Sequence, residues 1–148
     1  MVIPPSSTRV LLLYDELESG VYATEFFDHI TQIIHQEIPL KFDIWNFESI
    51  HLKMLSDSVY HSALGADIIA FAIKEGHPIA EWILEWCHTW LPLKEAHSCA
   101  VVGILVNEND WLTNTTDSSN LKQLRDLAED AQLDFFTHKT FLTDPIAI

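Results

Sequence analysis

The chain has 148 residues, of which 48% are apolar and 11% aromatic, so it can bury a substantial core and is not intrinsically disordered. Its 22 acidic and 8 basic side chains give a net charge of −14, which argues against nucleic acid or a membrane surface as a partner. No apolar run approaches the roughly 20 residues that cross a bilayer, and the first residues lack the pattern of a secretory signal. The length of the chain predicts a single domain (residues 1–148), and the lack of these two signals predicts that it lies in the cytoplasm.

The first half of the chain predicts two strands and two helices. Residues 9–14 (RVLLLY) form an apolar run typical of a strand buried on both faces, and residues 21–36 have the apolar spacing of an amphipathic helix. Residues 40–47 (LKFDIWNF) alternate, which indicates an edge strand with one partly wet face. Residues 50–64 predict a weaker helix that ends before Gly65.

The second half repeats this alternation. Residues 68–73 (IIAFAI) predict a central strand, and residues 79–91 predict a helix with one tryptophan-rich face. Residues 98–106 (SCAVVGILV) predict another buried strand, in which Gly103 would let a neighbouring element approach closely. A fourth helix follows this strand. A fifth strand over residues 134–141 completes the pattern.

Five strands alternating with four helices predict a three-layer α/β fold with a parallel sheet, because parallel strands need crossover connections. The alternating strand belongs at an edge, which favours the strand order 2-1-3-4-5 of flavodoxin-like sheets. Such sheets bind ligands in the crevice at the carboxyl ends of strands one and three, where the strand order reverses. The candidate ligand-binding residues of this crevice are Asp15, Glu16, Ser19, Gly20, Lys74, Glu75, Asn107 and Lys139.

The loop after the first strand reads DELESG and favours a cation over a phosphate group. Ser19 and Gly20 offer backbone amides to an anion, but Asp15, Glu16 and Glu18 place three negative charges on the same loop. Adjacent carboxylates suit a hard divalent cation, so Asp15 and Glu16 are candidate Mg²⁺ ligands. The sequence contains no P-loop, G-x-G-x-x-G or G-x-S-x-G pattern.

Two other polar segments follow predicted strands and have two interpretations each. Lys74 and Glu75 either form a solvated ion pair or contact a ligand. Residues 107–110 (NEND) either supply oxygen ligands or shape a turn, and turn formation is the better interpretation because Asn and Asp favour turns whatever the function.

Short motifs in this sequence resemble the receiver domains of response regulators. RVLLLYDE is similar to the opening of a receiver, whose paired acidic residues hold magnesium. DIIAFA aligns with the third receiver strand, and DFFTHKTF resembles the fifth, which carries a lysine. The resemblance implies that Asp15 and Glu16 are the acidic pair and that Lys139 is the lysine.

The chain departs from the receiver pattern at the reactive position. Receivers carry the phosphorylated aspartate five residues after the acidic start of the third strand, and that place is Ala72 here. The proline expected after the lysine is Thr140, and the hydroxyl expected near the end of strand four falls around Val106. The resemblance therefore implies a degenerate receiver that lacks its phosphoacceptor and forms no acyl phosphate.

Two functions fit these residues. The first, which we favour, is a non-catalytic receiver-like module that binds a protein partner or a small ligand at the crevice, without phosphotransfer. The alternative is a flavodoxin-like enzyme or cofactor-binding protein that uses Asp15 and Glu16 as metal ligands or as acid and base groups.

Aromatic, histidine and cysteine side chains complete the set of candidates. Trp82, Trp86 and Trp90 either pack on the sheet or protrude as the interface of a homodimer. The eight histidines include no pair at the i, i+4 spacing of H-E-x-x-H, so surface histidines are a better interpretation than a zinc site. Cys87 and Cys99 are expected to be small core residues rather than a disulfide.

Overall fold

The computed structural model describes residues 8–34, 40–51, 53–74, 78–96, 98–107 and 119–141. The elements are β1 (Thr8–Tyr14), α1 (Leu17–Ile34), β2 (Leu40–Asn46), α2 (Phe47–His51), α3 (Lys53–Gly65), β3 (Ile68–Lys74), α4 (Glu81–Trp90) with a 3₁₀ turn (Leu91–Leu93), β4 (Ala100–Asn107), α5 (Ser119–Asp130) and β5 (Asp134–Phe141). None of the helices within these ranges is long and apolar enough to cross a membrane.

The five strands form one parallel sheet in the order β2-β1-β3-β4-β5, as the sequence predicts. β2 lies at an edge, in agreement with its alternating sequence. The register aligns Tyr14 with Ala72, Ala72 with Ile104, and Ile104 with His138. This row crosses four strands near their carboxyl ends and therefore marks the edge at which a ligand site is expected.

Helices cover both faces of the sheet, but unequally among the described residues. Leu11, Ile69 and Val101 point to the face that packs against α3, α4 and α5. Leu12, Ala70 and Ile104 point to the opposite face, which packs against Ala23 and Phe27 of α1. Right-handed crossovers explain the difference, because the β1-to-β2 connection runs in the opposite direction across the sheet from the later ones.

Two helix boundaries differ from the prediction. α1 begins at Leu17 rather than at Val21, so Glu18 and Ser19 belong to its first turn. The helix predicted to start at residue 50 starts earlier, because α2 begins at Phe47, directly after β2. Asn46 explains this early start, because its Oδ1 accepts a hydrogen bond from the backbone N–H of Glu48 at 2.6 Å and caps α2.

Gly103 lies where α5 packs closely on β4. A Cβ atom at this position would be 2.9 Å from Leu121 Cδ2 and 3.3 Å from Leu124 Cδ1. The close approach predicted for this glycine is therefore present, and α5 is the element that makes it. The two thiols, Cys87 and Cys99, are free and buried, as expected for core residues.

Candidate functional site

The carboxyl ends of the strands bring most of the predicted site residues to one edge. Asp15 directly follows β1, Lys74 ends β3 and Asn107 ends β4. Lys139 follows His138 in β5, so it lies at the same level of the sheet as Asp15. Three strand spacings separate their backbones, which corresponds to about 14 Å.

Asp15 joins the ends of the two strands between which the strand order reverses. Its Oδ1 accepts a hydrogen bond from the Glu16 N–H at 2.7 Å, and its Oδ2 accepts one from the Lys74 N–H at 2.9 Å. Its own N–H donates to the Ala72 carbonyl at 3.2 Å. This half-buried carboxylate therefore stabilises the β1–β3 crevice, and it still has lone pairs that a cation could use.

The other three predicted residues of this loop lie at the start of α1, with Glu16 directly before the helix and Ser19 and Gly20 in its first turn. Glu16 is half-buried, whereas Ser19 is 0% exposed and its Oγ has no hydrogen-bond partner. Ser19 lies one helical turn before Ala23 and two before Phe27, on the side of α1 that faces the sheet. Gly20 contacts the Tyr14 ring so closely that a Cβ atom would be 3.0 Å from its Cγ.

Among the side chains that the structure describes at this edge, Lys74 supplies the positive charge. Its Nζ lies 3.9 Å from Glu18 Oε1, and the side chains are 14% and 59% exposed. This contact joins the end of β3 to the first turn of α1. Because it is long and its acidic partner is in water, it contributes little to stability.

Several predicted residues cannot be placed at the level of side chains. Glu75 lies outside the described residues, as do residues 108–110 of the following polar segment. Asn107 and Lys139 have a described backbone in β4 and β5, but their side chains are outside the described set. The structure therefore brings Asp15, Glu16, Ser19, Gly20 and Lys74 together at the β1–β3–α1 junction.

Asp15 and Glu16 remain candidate ligands for a Mg²⁺ ion that would have few ligands from the protein. Among the described residues, no three His, Cys, Asp or Glu side chains form a group that could hold a metal ion. Asp15 and Glu16 would therefore need to share the ion with several water molecules, which is a common arrangement for Mg²⁺. The Mg²⁺ site stays a prediction.

Ala72 occupies the place at which the receiver resemblance locates the reactive aspartate. It pairs with Tyr14 of β1 and Ile104 of β4, and it is 0% exposed. Its side chain belongs to the core cluster that α1 covers. A methyl group in this position has no nucleophilic chemistry.

No family model and no curated protein matches the sequence. Among solved structures, a flavodoxin from Streptococcus pneumoniae TIGR4 is similar, with a TM-score of 0.55 and 6% sequence identity. The match covers 90% of this chain and 83% of that flavodoxin. This chain has the flavodoxin-like fold. An identity of 6% supports the fold alone, since one fold carries many functions.

An apolar groove lies beside the crevice of this flavodoxin-like domain, between α1 and β2. Its volume is about 270 Å³, and its lining includes Tyr14, Leu17, Val21, Glu25 and Ile44. Val21 fits the apolar spacing that predicts a helix over residues 21–36, but its side chain is 46% exposed. The groove was missed because an edge strand and a helix that are distant in sequence form it together.

Only part of the tryptophan-rich face of α4 is accessible at the surface. Trp90 is 0% exposed and packs edge-to-face on Trp86, with ring centroids 5.2 Å apart. Of its two interpretations, Trp90 therefore takes the first and packs in the core rather than at an interface, because it lies with Ile83 and Cys87 on the core side of α4. Trp82 and Trp86 are partly buried against the same core, and a homodimer through them stays a prediction.

Proposed function

We propose that this domain is a non-catalytic, receiver-like module that binds a protein partner or a small ligand at the carboxyl edge of its sheet, without phosphotransfer. The observation that carries this proposal is Ala72, which is buried at the position where a receiver has its phosphoacceptor. A receiver switch begins with an acyl phosphate on a carboxylate, and alanine has none.

The hydrogen bonds of Asp15 support a structural role for the residue that starts the acidic pair. Each of its oxygens accepts a hydrogen bond from a backbone amide, one in the same loop and one at the end of β3. A carboxylate held in this way keeps the crevice in one shape without any bound phosphate. A domain with a fixed edge is suited to constitutive binding rather than to switching.

The charge of this edge favours a positively charged partner. Asp15, Glu16 and Glu18 lie in or beside the first turn of α1, and the described cation opposite them is Lys74. An excess of negative charge raises the association rate of a basic partner and lowers that of an acidic one. This preference is consistent with the net charge of −14.

Treatment with a small phosphodonor, acetyl phosphate with Mg²⁺, tests the absence of phosphotransfer. We expect the intact mass of the protein to stay unchanged, while an active receiver domain in a parallel reaction gains one phosphoryl group. A hydroxylamine-sensitive phosphate on an aspartate of this chain would contradict the proposal. The variant Asp15→Ala would then show whether the acidic loop carries it.

The alternative function is a flavodoxin-like enzyme or cofactor-binding protein. The observation in its favour is that Asp15 and Glu16 are adjacent and half-buried at the β1–β3 junction, where sheets of this order bind ligands. An absorption spectrum of the purified protein tests for flavin. Titration with Mg²⁺, followed by tryptophan fluorescence, tests for the metal, and Glu16→Gln should abolish a specific signal. A colourless protein that does not respond to Mg²⁺ leaves the binding module as the better function.

A further inference from the structure

We infer that the groove between α1 and β2 is the docking site for a basic segment of a partner protein, which inserts a large apolar side chain flanked by Lys or Arg. This inference rests on the proposed function as a binding module and adds to it the surface and the chemistry of the partner.

The exposed apolar residues of the domain concentrate at this groove. Leu17 is 72% exposed, Val21 46% and Ile44 43%. These are three of the six large apolar side chains that are exposed among the described residues. Single exposed apolar residues are ordinary, but a contiguous group around a concave surface is typical of an interaction site.

The size of the groove favours a side chain over a cofactor. Its volume of about 270 Å³ is below the roughly 300–1,000 Å³ of pockets that enclose drug-sized ligands. Tyr14 and Gly20 form part of its wall, and the close contact between them leaves no room for a larger residue at position 20. A concavity of this kind suits one or two apolar side chains of a peptide.

The charge around the groove selects the flanking residues of the partner. α1 contains Glu18, Glu25 and Asp28 and no lysine or arginine. Glu25 lines the groove, and Asp28 is exposed one turn further along the helix. Lys or Arg side chains beside the apolar anchor would therefore meet carboxylates, which raises both the association rate and the specificity.

The same charges disfavour a second copy of this chain as the occupant. A two-fold contact brings the same patch of each subunit together, so Glu18 and Glu25 of one copy would face the acidic surface of the other. Each copy also carries a net charge of −14. A basic segment of a different protein removes this repulsion.

Selection from a random peptide library displayed on phage, with the full chain immobilised, tests the inference without assuming a partner. We expect enriched peptides to combine a large apolar residue with Lys or Arg. Their affinities are then measured by fluorescence anisotropy with synthetic peptides. Val21→Ser should weaken binding by about tenfold because it removes an apolar contact of the anchor, and Glu25→Lys by about tenfold because it repels the flanking Lys or Arg of the peptide.

Two variants serve as matched controls for these substitutions. Leu93→Ser removes an apolar side chain that is 62% exposed elsewhere, and Glu85→Lys reverses an exposed charge on α4. Neither should change the affinity by more than about twofold. Circular dichroism and urea unfolding confirm that the groove variants are folded before their affinities are compared.

Several results would overturn the inference. They are enrichment of acidic or purely polar peptides, no enrichment at all, and full affinity for Val21→Ser. If Glu16→Gln abolishes binding while Val21→Ser does not, the partner binds in the crevice, so the proposed function stands and the groove inference fails. If the protein forms a dimer that Val21→Ser dissociates in analytical ultracentrifugation, a second copy occupies the groove. Phosphate incorporation would instead count against the proposed function.

Discussion

Replacing Asp15 tests the physical role that the structure gives to this residue. The carboxylate accepts two backbone hydrogen bonds, at 2.7 and 2.9 Å, which join the loop after β1 to the end of β3. A hydrogen bond to a charged group contributes about 1.5–3 kcal/mol when it is shielded from water. Asp15 is half-buried, so water can partly replace its two hydrogen bonds when the carboxylate is removed. We therefore expect Asp15→Ala to lower the free energy of unfolding by about 2–3 kcal/mol in total.

Urea unfolding followed by tryptophan fluorescence measures this loss, and thermal unfolding provides a second measurement. For a chain of about 150 residues, each kcal/mol corresponds to roughly 2–4 °C, so the midpoint should fall by about 5–10 °C. Asp15→Asn should lose nearly as much. An amide group has only one acceptor oxygen, and its NH₂ would face the second backbone N–H.

Glu18→Ala is the matched control, because it also removes one negative charge from the same edge. Its contact with Lys74 is 3.9 Å long and solvated, so we expect a change of less than about 0.5 kcal/mol. If Asp15→Ala and Glu18→Ala have equal stabilities, the two hydrogen bonds do not hold the crevice together. Wild-type stability of Asp15→Asn would refute the same reasoning.

Three further predictions concern the core and the titration of single groups. Gly103→Val should cost about 1–3 kcal/mol in urea unfolding, since its side chain would collide with Leu121, and an unchanged midpoint would show that α5 can move away. Burial raises the pKa of Cys99 to about 11 from 9.0, so at pH 8 a smaller fraction of this thiol is ionised in the native state. It should therefore react with an aromatic disulfide at least about tenfold more slowly than in the unfolded chain, and equal rates would contradict this. Burial lowers the pKa of His138 below 6.5, and its ring stacks on Phe26 at 4.1 Å. The folded state thus binds this proton less tightly than the unfolded state, and stability should be lost as the pH falls through 6.5 towards the folded pKa. His138→Phe keeps the stacking on Phe26. Between pH 8 and pH 5 its free energy of unfolding, measured by chemical denaturation, should fall less than that of the wild type. An equal fall would exclude His138 as a cause of the pH dependence.

The elements of the fold could be predicted from local sequence because buried parallel strands have a distinctive composition. Uninterrupted apolar runs located β1, β3 and β4, and alternation located β2 at an edge. The helix boundaries follow less directly from local sequence. α1 starts at Leu17, inside a segment with three acidic residues that resembles a loop, because packing on the sheet outweighs the helix propensity of single residues.

In the candidate site, too, some features follow from local sequence and others depend on contacts between residues that are distant in sequence. Parallel strands place their carboxyl ends at one edge, so Asp15 and Lys74 could be assigned to a common site from strand order alone. The hydrogen bond from the Lys74 amide to the Asp15 carboxylate could not, since it joins residues 59 positions apart in sequence. The same holds for the contact of Lys74 with Glu18.

The sequence by itself determined the α/β class, the strand order and the absence of a carboxylate at Ala72, since each follows from the identity and spacing of nearby residues. The tertiary structure decided which apolar residues are exposed. Val21 and Trp90 both match a helical pattern, yet Val21 borders a groove and Trp90 is enclosed in the core. Exposure depends on what packs against a helix from elsewhere in the chain, and the period of the helix does not contain that information.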